Sequence, residues 1–260
     1  MTRLDVWLAE NGLADSREKA QALVMAGRVS VDGAPATKPG ARVRESSAVV
    51  VAPGPAHVGR GALKLAGALD VFAVDPRGRT AVDIGASTGG FTETLLARGA
   101  RVVYAVDVGR GQLHEKLRAD PRVIVRERTN ARALSSRDVP EPCRLAVVDV
   151  SFISVARILP ALRGILEPGA DAVVLVKPQF EVGRRDVGRG GIVRDPDLHR
   201  AAVRAAATSA QAAGFAVRGA CPSPVPGMEG NREFFLHLVA GGPPASPAEL
   251  EALVATAVPA

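Results

Sequence analysis

The run Asp83-Ile84-Gly85-Ala86-Ser87-Thr88-Gly89-Gly90-Phe91 decides the fold. It ends a short apolar stretch, Thr80 to Ile84, and opens a helical pattern, Phe91 to Arg98. Glycines at such a corner let backbone approach a ligand, and the first turn of the helix offers unpaired N–H groups. Asp107 ends the next apolar stretch, 22 residues after Gly85, where a carboxylate meets ribose hydroxyls in this kind of sheet. NAD and S-adenosyl-L-methionine both bind through this geometry. The loop lacks Gly-x-Gly-x-x-Gly and begins with a carboxylate, Asp83, which repels a pyrophosphate but suits an ammonium group. The residues favour S-adenosyl-L-methionine, with NAD as the alternative.

Outward from that loop, apolar stretches alternate with helical patterns. Strands are expected at Thr80 to Ile84, Val102 to Val106, Val123 to Arg126, Leu145 to Asp149 and Ala172 to Val176. Helices are expected at Leu63 to Phe72, Phe91 to Arg98, Gln112 to Ala119 and Val155 to Leu166. The alternation predicts an α/β fold, a doubly wound, mostly parallel Rossmann-like sheet. An Arg/Gly-rich loop, Phe180 to Asp195, precedes an alanine-rich helix, Leu198 to Ala213, and strands Val217 to Cys221 and Phe234 to Val239.

Upstream, a smaller α+β pattern stands apart. Leu4, Trp7, Leu8 and Leu13 have helical spacing, and Asp15 or Ser16 can cap a second helix, Arg17 to Ala26. Val29 to Val31, an Asp32-Gly33 turn and a strand from Ala48 to Ala52 follow. Arg3, Arg17, Lys19 and Arg28 lie on its polar sides and can grip phosphates. Pro53 to Gly61 reads as connecting chain. The expected divisions are a small domain at 1–58, a linker at 59–62, a large domain at 63–240 and a flexible tail at 241–260 with room for one short helix.

Of the 260 residues, 47% are apolar and only 3% aromatic, enough for a core but poor for a surface that stacks single-stranded bases. Two cysteines without a Cys-x-x-Cys, and four scattered histidines, argue against a disulfide framework and a metal site, and suit a cytoplasmic protein. No apolar run approaches a membrane span, and the charged start does not read as a signal peptide. The net charge of +6 favours an anionic partner.

Only five of the 33 basic residues are lysines. Lysine can surrender a proton and arginine cannot, so each lysine is informative. Lys177 follows a buried stretch in Val173-Val-Leu-Val-Lys177-Pro178-Gln179-Phe180, and Lys64 sits in Gly61-Ala-Leu-Lys64. Asp149 ends a strand in Leu145-Ala-Val-Val-Asp149-Val-Ser151-Phe152, and Glu233 opens the last strand after Gly227-Met-Glu-Gly230-Asn231-Arg232. Arg184, Arg185, Arg189 and Arg194 lie on the glycine-hinged loop, placed to close on phosphates.

Two resemblances follow from these runs. Arg3-Leu-Asp, Ser16-Arg-Glu-Lys-Ala and Ala26-Gly-Arg-Val-Ser-Val-Asp-Gly33 resemble the small RNA-binding domain shared by a ribosomal protein, pseudouridine synthases and tyrosyl-tRNA synthetase. Lys64, Asp149, Lys177 and Glu233 resemble the Lys-Asp-Lys-Glu tetrad of ribose 2′-O-methyltransferases. The runs Asp83 to Thr92, Val106 to Gly109, Asp120 to Val123, Glu127 to Asn130, Asp149 to Ser154 and Val176 to Glu181 are similar to the TlyA family, over nearly all but the last twenty residues. Gly59-Arg-Gly-Ala62 departs from the Ser-Arg-Gly-Gly of many relatives.

The resemblance implies a ribosomal RNA cytidine-2′-O-methyltransferase that uses S-adenosyl-L-methionine, no metal and no membrane, acts on ribosomal RNA or subunits, and works as a monomer. It implies Lys64, Asp149, Lys177 and Glu233 as catalytic residues, with Lys177 as general base or holder of the 2′-hydroxyl. Asp83, Gly85, Ser87, Thr88, Gly89, Gly90, Asp107, Asn130 and Asp149 would hold the cofactor. Arg3, Arg17, Lys19, Arg28, Arg184, Arg185 and Arg189 would bind RNA. A ribosome-assembly factor without catalysis would leave the tetrad idle, and a pore-forming hemolysin would need spanning or amphipathic segments that the sequence lacks.

Overall fold

The structure, a computed structural model, describes residues 1–25, 27–52, 58–227 and 230–259. The expected helix end at Ala26, most of the connecting chain Pro53 to Gly61, and Met228-Glu229 of the Gly227 motif lie outside the described residues. The chain divides into two compact units, Met1–Ala56 and His57–Ala260.

In the first unit, helices α1 (Leu4–Glu10) and α2 (Arg17–Met25) bury Leu4, Leu8, Ala20 and Val24 against Val29 and Val43. Ser16 caps α2, its Oγ accepting from Lys19 N at 3.2 Å. Strands β1 (Thr2–Arg3) and β4 (Arg42–Val43) pair, and β2 (Val29–Val31) lies between β3 (Ala34–Pro35) and β5 (Val49–Val51). Asp32 and Gly33 both have positive φ, as a tight hairpin requires.

The second unit is built on a seven-stranded sheet among the described residues. Its strands are β6 (Thr80–Ile84), β7 (Val102–Val106), β8 (Val123–Arg126), β9 (Cys143–Val148), β10 (Leu166–Val176), β11 (Phe215–Pro222) and β12 (Phe234–Ala240), in the order β11-β12-β10-β9-β6-β7-β8. All but β12 run in the same direction, and β12 lies antiparallel between β10 and β11. Strand β6 is buried throughout because neighbours flank it and helices cover both faces, and even Asp83 within it is buried. The two faces carry separate cores, one around Val82, Val148 and Phe234, the other around Leu95, Val147 and Phe235. From β6 the chain winds outward through β7 to β8, then crosses back to β9 on the other side of β6. That reversal opens a crevice at the carboxyl ends of β6 and β9, where ligands bind in such sheets.

Several expected elements differ. The helix expected at Gln112 to Ala119 is only α5 (Glu115–Arg118), because Gly111 adopts φ 69° and His114 caps the turn that follows. The one expected at Val155 to Leu166 divides into a 3₁₀ turn, Val155–Arg157, and α6 (Leu159–Gly164), with Pro160 at the start of the latter. The Arg/Gly-rich loop begins inside a helical turn, α7 (Pro178–Glu181), and contains a 3₁₀ turn at Arg189–Gly191. Helix α3 (Gly61–Phe72) begins inside the segment expected as a linker.

The tail expected to be flexible from 241 on carries the short helix allowed for there, α9 (Pro247–Ala257), but that helix is packed on the domain. Ser246 and Glu249 form a reciprocal cap, and Leu250, Val254 and Ala257 are buried at helical spacing against α8 (Pro196–Ala212) and β11. Cys143 and Cys221 are free and buried. No described helix is long and apolar enough to cross a membrane.

Candidate active site

The site lies at the carboxyl ends of β6, β7, β9 and β10. Gly85 turns the chain at the end of β6 with φ 84°, and a Cβ there would lie 2.1 Å from the Asp149 carbonyl oxygen. Only glycine lets the ends of β6 and β9 meet so closely. Helix α4 (Gly90–Ala97) then starts against α3, since a Cβ on Gly90 would lie 2.9 Å from Ala62 N. That close approach brings Lys64, on the first turns of α3, to the crevice.

Register places the remaining groups. Val176 pairs with Phe234, so the end of β10 lies beside the start of antiparallel β12, and Lys177 comes near Glu233. Lys64 Nζ donates to Glu233 Oε2 at 2.5 Å, and both residues are buried. Lys177 Nζ lies 2.6 Å from Asp149 Oδ1, an ion pair without hydrogen-bond alignment, and donates to Ser151 Oγ at 2.9 Å. All four tetrad members, 169 positions apart at the extremes, line one cavity of about 590 Å³ with Gly85, Ser87, Thr88 and Gly90. A buried lysine paired this closely is held in one orientation, and its partner carboxylate meets the cost of removing both charges from water only through such geometry.

A second cavity, of about 960 Å³, is lined by Asp107 and Asn130 and shares Gly85, Ser87 and Asp149 with the first. Asp107 also ties loops together, its Oδ2 accepting from Ser87 N at 2.8 Å and its Oδ1 from Gly109 N at 2.7 Å. Asn130 Oδ1 accepts from Arg132 N at 3.1 Å. Gly89 adopts φ 100° at the cap of α4, against Leu113 and Leu117.

Asp83 lies beneath the glycine loop, 0% exposed. Its Oδ2 accepts from Thr92 Oγ1 at 2.7 Å, while its Oδ1 is buried without a partner. Burial pushes its carboxyl up to about 7, the Thr92 hydrogen bond opposes this, and the negative Asp149 and Asp107 reinforce it. Asp83 lines neither cavity, so its charge reaches a ligand through the glycine loop above it. The open glycine loop and the acid after β7, which do line the cavities, are the groups that fit S-adenosylmethionine.

The expected RNA-binding residues divide into two groups. In the first unit Arg3, Arg17, Lys19 and Arg28 already have partners there: Arg3 and Arg17 hold Asp5, Lys19 meets Asp15, and Arg28 donates to the Ala52 carbonyl. In the second unit Arg184 lines the second cavity, and Arg185 and Arg189 are exposed on the same loop.

Several site residues lie outside the expected set. Ser151, Phe152, Gln179 and Phe180 line both cavities, and Asn231 lines the first. Phe152 is 91% exposed at φ 65° and packs on Phe180 with ring centroids 5.1 Å apart. Asn231 is buried, accepts from Val193 N and donates to the Gly191 carbonyl, so it holds the end of the arginine loop. The available signal was adjacency, because each stands within three residues of Asp149, Lys177 or Glu233.

A glycine corner after β6, an acid ending β7 and an antiparallel β12 inserted beside β10 define a Rossmann-like methyltransferase. The chain belongs to the FtsJ-like methyltransferase family, whose pattern matches residues 57–240, and an S4 domain pattern matches residues 2–49. It is 52% identical, over 91% of its length and 89% of the relative's, to the 16S/23S rRNA (cytidine-2′-O)-methyltransferase TlyA of Mycobacterium tuberculosis. It is 37% identical to Hemolysin A of Brachyspira hyodysenteriae, over 91% of this chain and 99% of that one. A solved structure from Streptococcus thermophilus, described as a hemolysin, superposes with a TM-score of 0.74 at 42% identity, covering 97% of this chain and 94% of that one.

Proposed function

We propose that the protein transfers a methyl group from S-adenosylmethionine to the ribose 2′-oxygen of cytidine in ribosomal RNA. The observation that carries this reading is the pairing of Lys64 with Glu233 and of Lys177 with Asp149 on the wall of one cavity. Relatives over nearly the whole chain that are named for this reaction support it.

Asp83 and the loop from Gly85 to Gly90 hold the methionine end of the cofactor, Asp107 its ribose, and Asn130 lies toward the adenine. When bound, S-adenosylmethionine supplies an already electrophilic methyl group. The remaining work is to orient a very weakly acidic hydroxyl and to relieve it of its proton. Lys177 Nζ does this either as an amine that takes the proton or as an ammonium that holds the oxygen in line. Asp149 and Ser151 fix the direction of Nζ. Lys64, steadied by Glu233, adds positive charge on the same wall, which favours an anionic 2′-oxygen. The first unit and the arginines of residues 184–194 supply RNA affinity.

Purified full-length protein is titrated with S-adenosylmethionine and with NADH, then incubated with labelled S-adenosylmethionine and ribosomal subunits. The expected result is binding of the first ligand alone and label on 2′-O-methylcytidine. NADH binding without S-adenosylmethionine binding, or label on a base, would overturn the reading.

A further inference from the structure

Beyond the end of their ladder, the chains leaving β9 and β10 stay joined at three successive levels. Lys177 contacts Asp149 and Ser151 at the first. Phe180 packs on Phe152 at the second. At the third, the half-buried Glu181 accepts from Ser154 Oγ at 2.6 Å and from Val155 N at 2.8 Å. Burial raises the Glu181 carboxyl above its usual value against these two hydrogen bonds. A carboxylate held half out of water by one hydroxyl and one amide is costly unless both bonds persist, so its contacts are tightly specified. Ser154 in turn starts the 3₁₀ turn Val155–Arg157, its Oγ also accepting from Ala156 N. The segment carrying Asp149, Ser151 and Phe152 is thus fixed at its far end by the segment carrying Lys177.

We propose that Glu181 is a positioning residue for methyl transfer: through Ser154 and Val155 it locks the loop after β9 onto the loop after β10 and so sets Ser151 and Asp149 against Lys177. This rests on the methyl-transfer reading of the site. Glu181 lies four residues beyond Lys177 and does not line either cavity, so it acts on the reaction only through what it holds.

The test uses full-length protein and ribosomal subunits, with cofactor affinity by titration and single-turnover methyl transfer at saturating ligands. Glu181→Ala should slow transfer ~10- to 100-fold, the size of a displacement of about 1 Å at the reacting groups. Its cofactor affinity should stay within a few-fold of wild type. Glu181→Gln keeps a carbonyl for one donor and should recover part of the rate. Ser154→Ala should show a smaller loss, and the double variant should be no slower than Glu181→Ala alone, since both act through one contact. Additive losses, or a rate unchanged in Glu181→Ala, would overturn the proposal. So would cofactor affinity falling in step with rate, the mark of general loosening. Should Glu181→Ala fail to fold, Glu181→Gln and Ser154→Ala decide alone. A wild-type protein that methylates nothing refutes the methyl-transfer reading instead.

Discussion

Two fully buried carboxylates, one in each unit, meet opposite surroundings. Asp5, in the small unit, accepts from Arg3, Arg17 and Gln21. The hydrogen bond from Arg3 leads, burial opposes it, and Gln21 and Arg17 add to it, holding the carboxyl well below the usual range. Asp83, in the large unit, has one hydroxyl partner, two carboxylate neighbours and an oxygen with no partner, and its carboxyl rises to about 7. A satisfied buried charge organises its own unit, whereas one left half satisfied beside a cavity wall is a candidate for work on a ligand. Cations divide similarly: Arg3 and Arg17 of the small unit hold its buried Asp5, while Lys64 and Lys177, each paired with a carboxylate of its own unit, line a cavity.

The sharpest contrast comes from one exchange made in both units. Lys177→Arg keeps the charge but cannot give up a proton near neutral pH, so single-turnover methylation should fall by about 10²–10⁴-fold if Lys177 is the base. Cofactor and RNA affinities should hold. A rate within a few-fold of wild type would leave Lys177 as a holder of the hydroxyl only. Lys19→Arg, on an exposed helix face, should leave folding and methylation unchanged.

Next in size are the cofactor acids. Asp83→Asn and Asp107→Ala should each weaken S-adenosylmethionine ~10- to 100-fold in a calorimetric titration, the worth of a hydrogen bond to a charged group. Asp83 also has a signature in the free protein. Its folded value lies above its unfolded one near 4, so the stability it contributes is present at acid pH and lost as pH rises through about 7. Denaturant unfolding of wild type should weaken between about pH 4 and 7, and Asp83→Asn should flatten that slope. An unchanged slope would sever Asp83 from the contrast.

The smallest effect is expected from Asp5, and with the opposite sign. Its depressed value makes its contribution present above about pH 4 and lost as pH falls below it. Asp5→Asn should reduce amide-exchange protection in residues 1–52, most clearly at neutral pH, with cofactor affinity untouched. Loss of cofactor binding in this variant would show that the two carboxylates do not serve separate units.

Strands β6, β7 and β8 could be read from sequence at their bounds, since each is a short, mainly apolar stretch rich in branched residues and followed by glycine or charge. Helices α5 and α6 were overextended, because apolar periodicity continues through Gly111 and Pro160 while hydrogen bonding does not. A short helix in the tail was allowed for, but the Gly/Pro-rich composition around it hid that Leu250, Val254 and Ala257 pack it on the domain. In the site, each tetrad residue could be named individually, and family likeness joined them into a set. Which lysine meets which carboxylate required the register of β10 with β12, a contact between distant segments. Ser151, Glu181 and Asn231 stand in runs that the sequence singles out, yet no role could be assigned to them there: what they do depends on a partner loop that local sequence does not reveal.

The most direct measurement of the central claim is a map of ribose 2′-O-methyl groups across ribosomal RNA from cells with and without the gene. At least one cytidine should lose its 2′-O-methyl group when the gene is removed, regain it with the wild-type gene, and fail to regain it with Lys177→Ala. A map in which no cytidine changes, or in which Lys177→Ala restores the mark, would contradict the account.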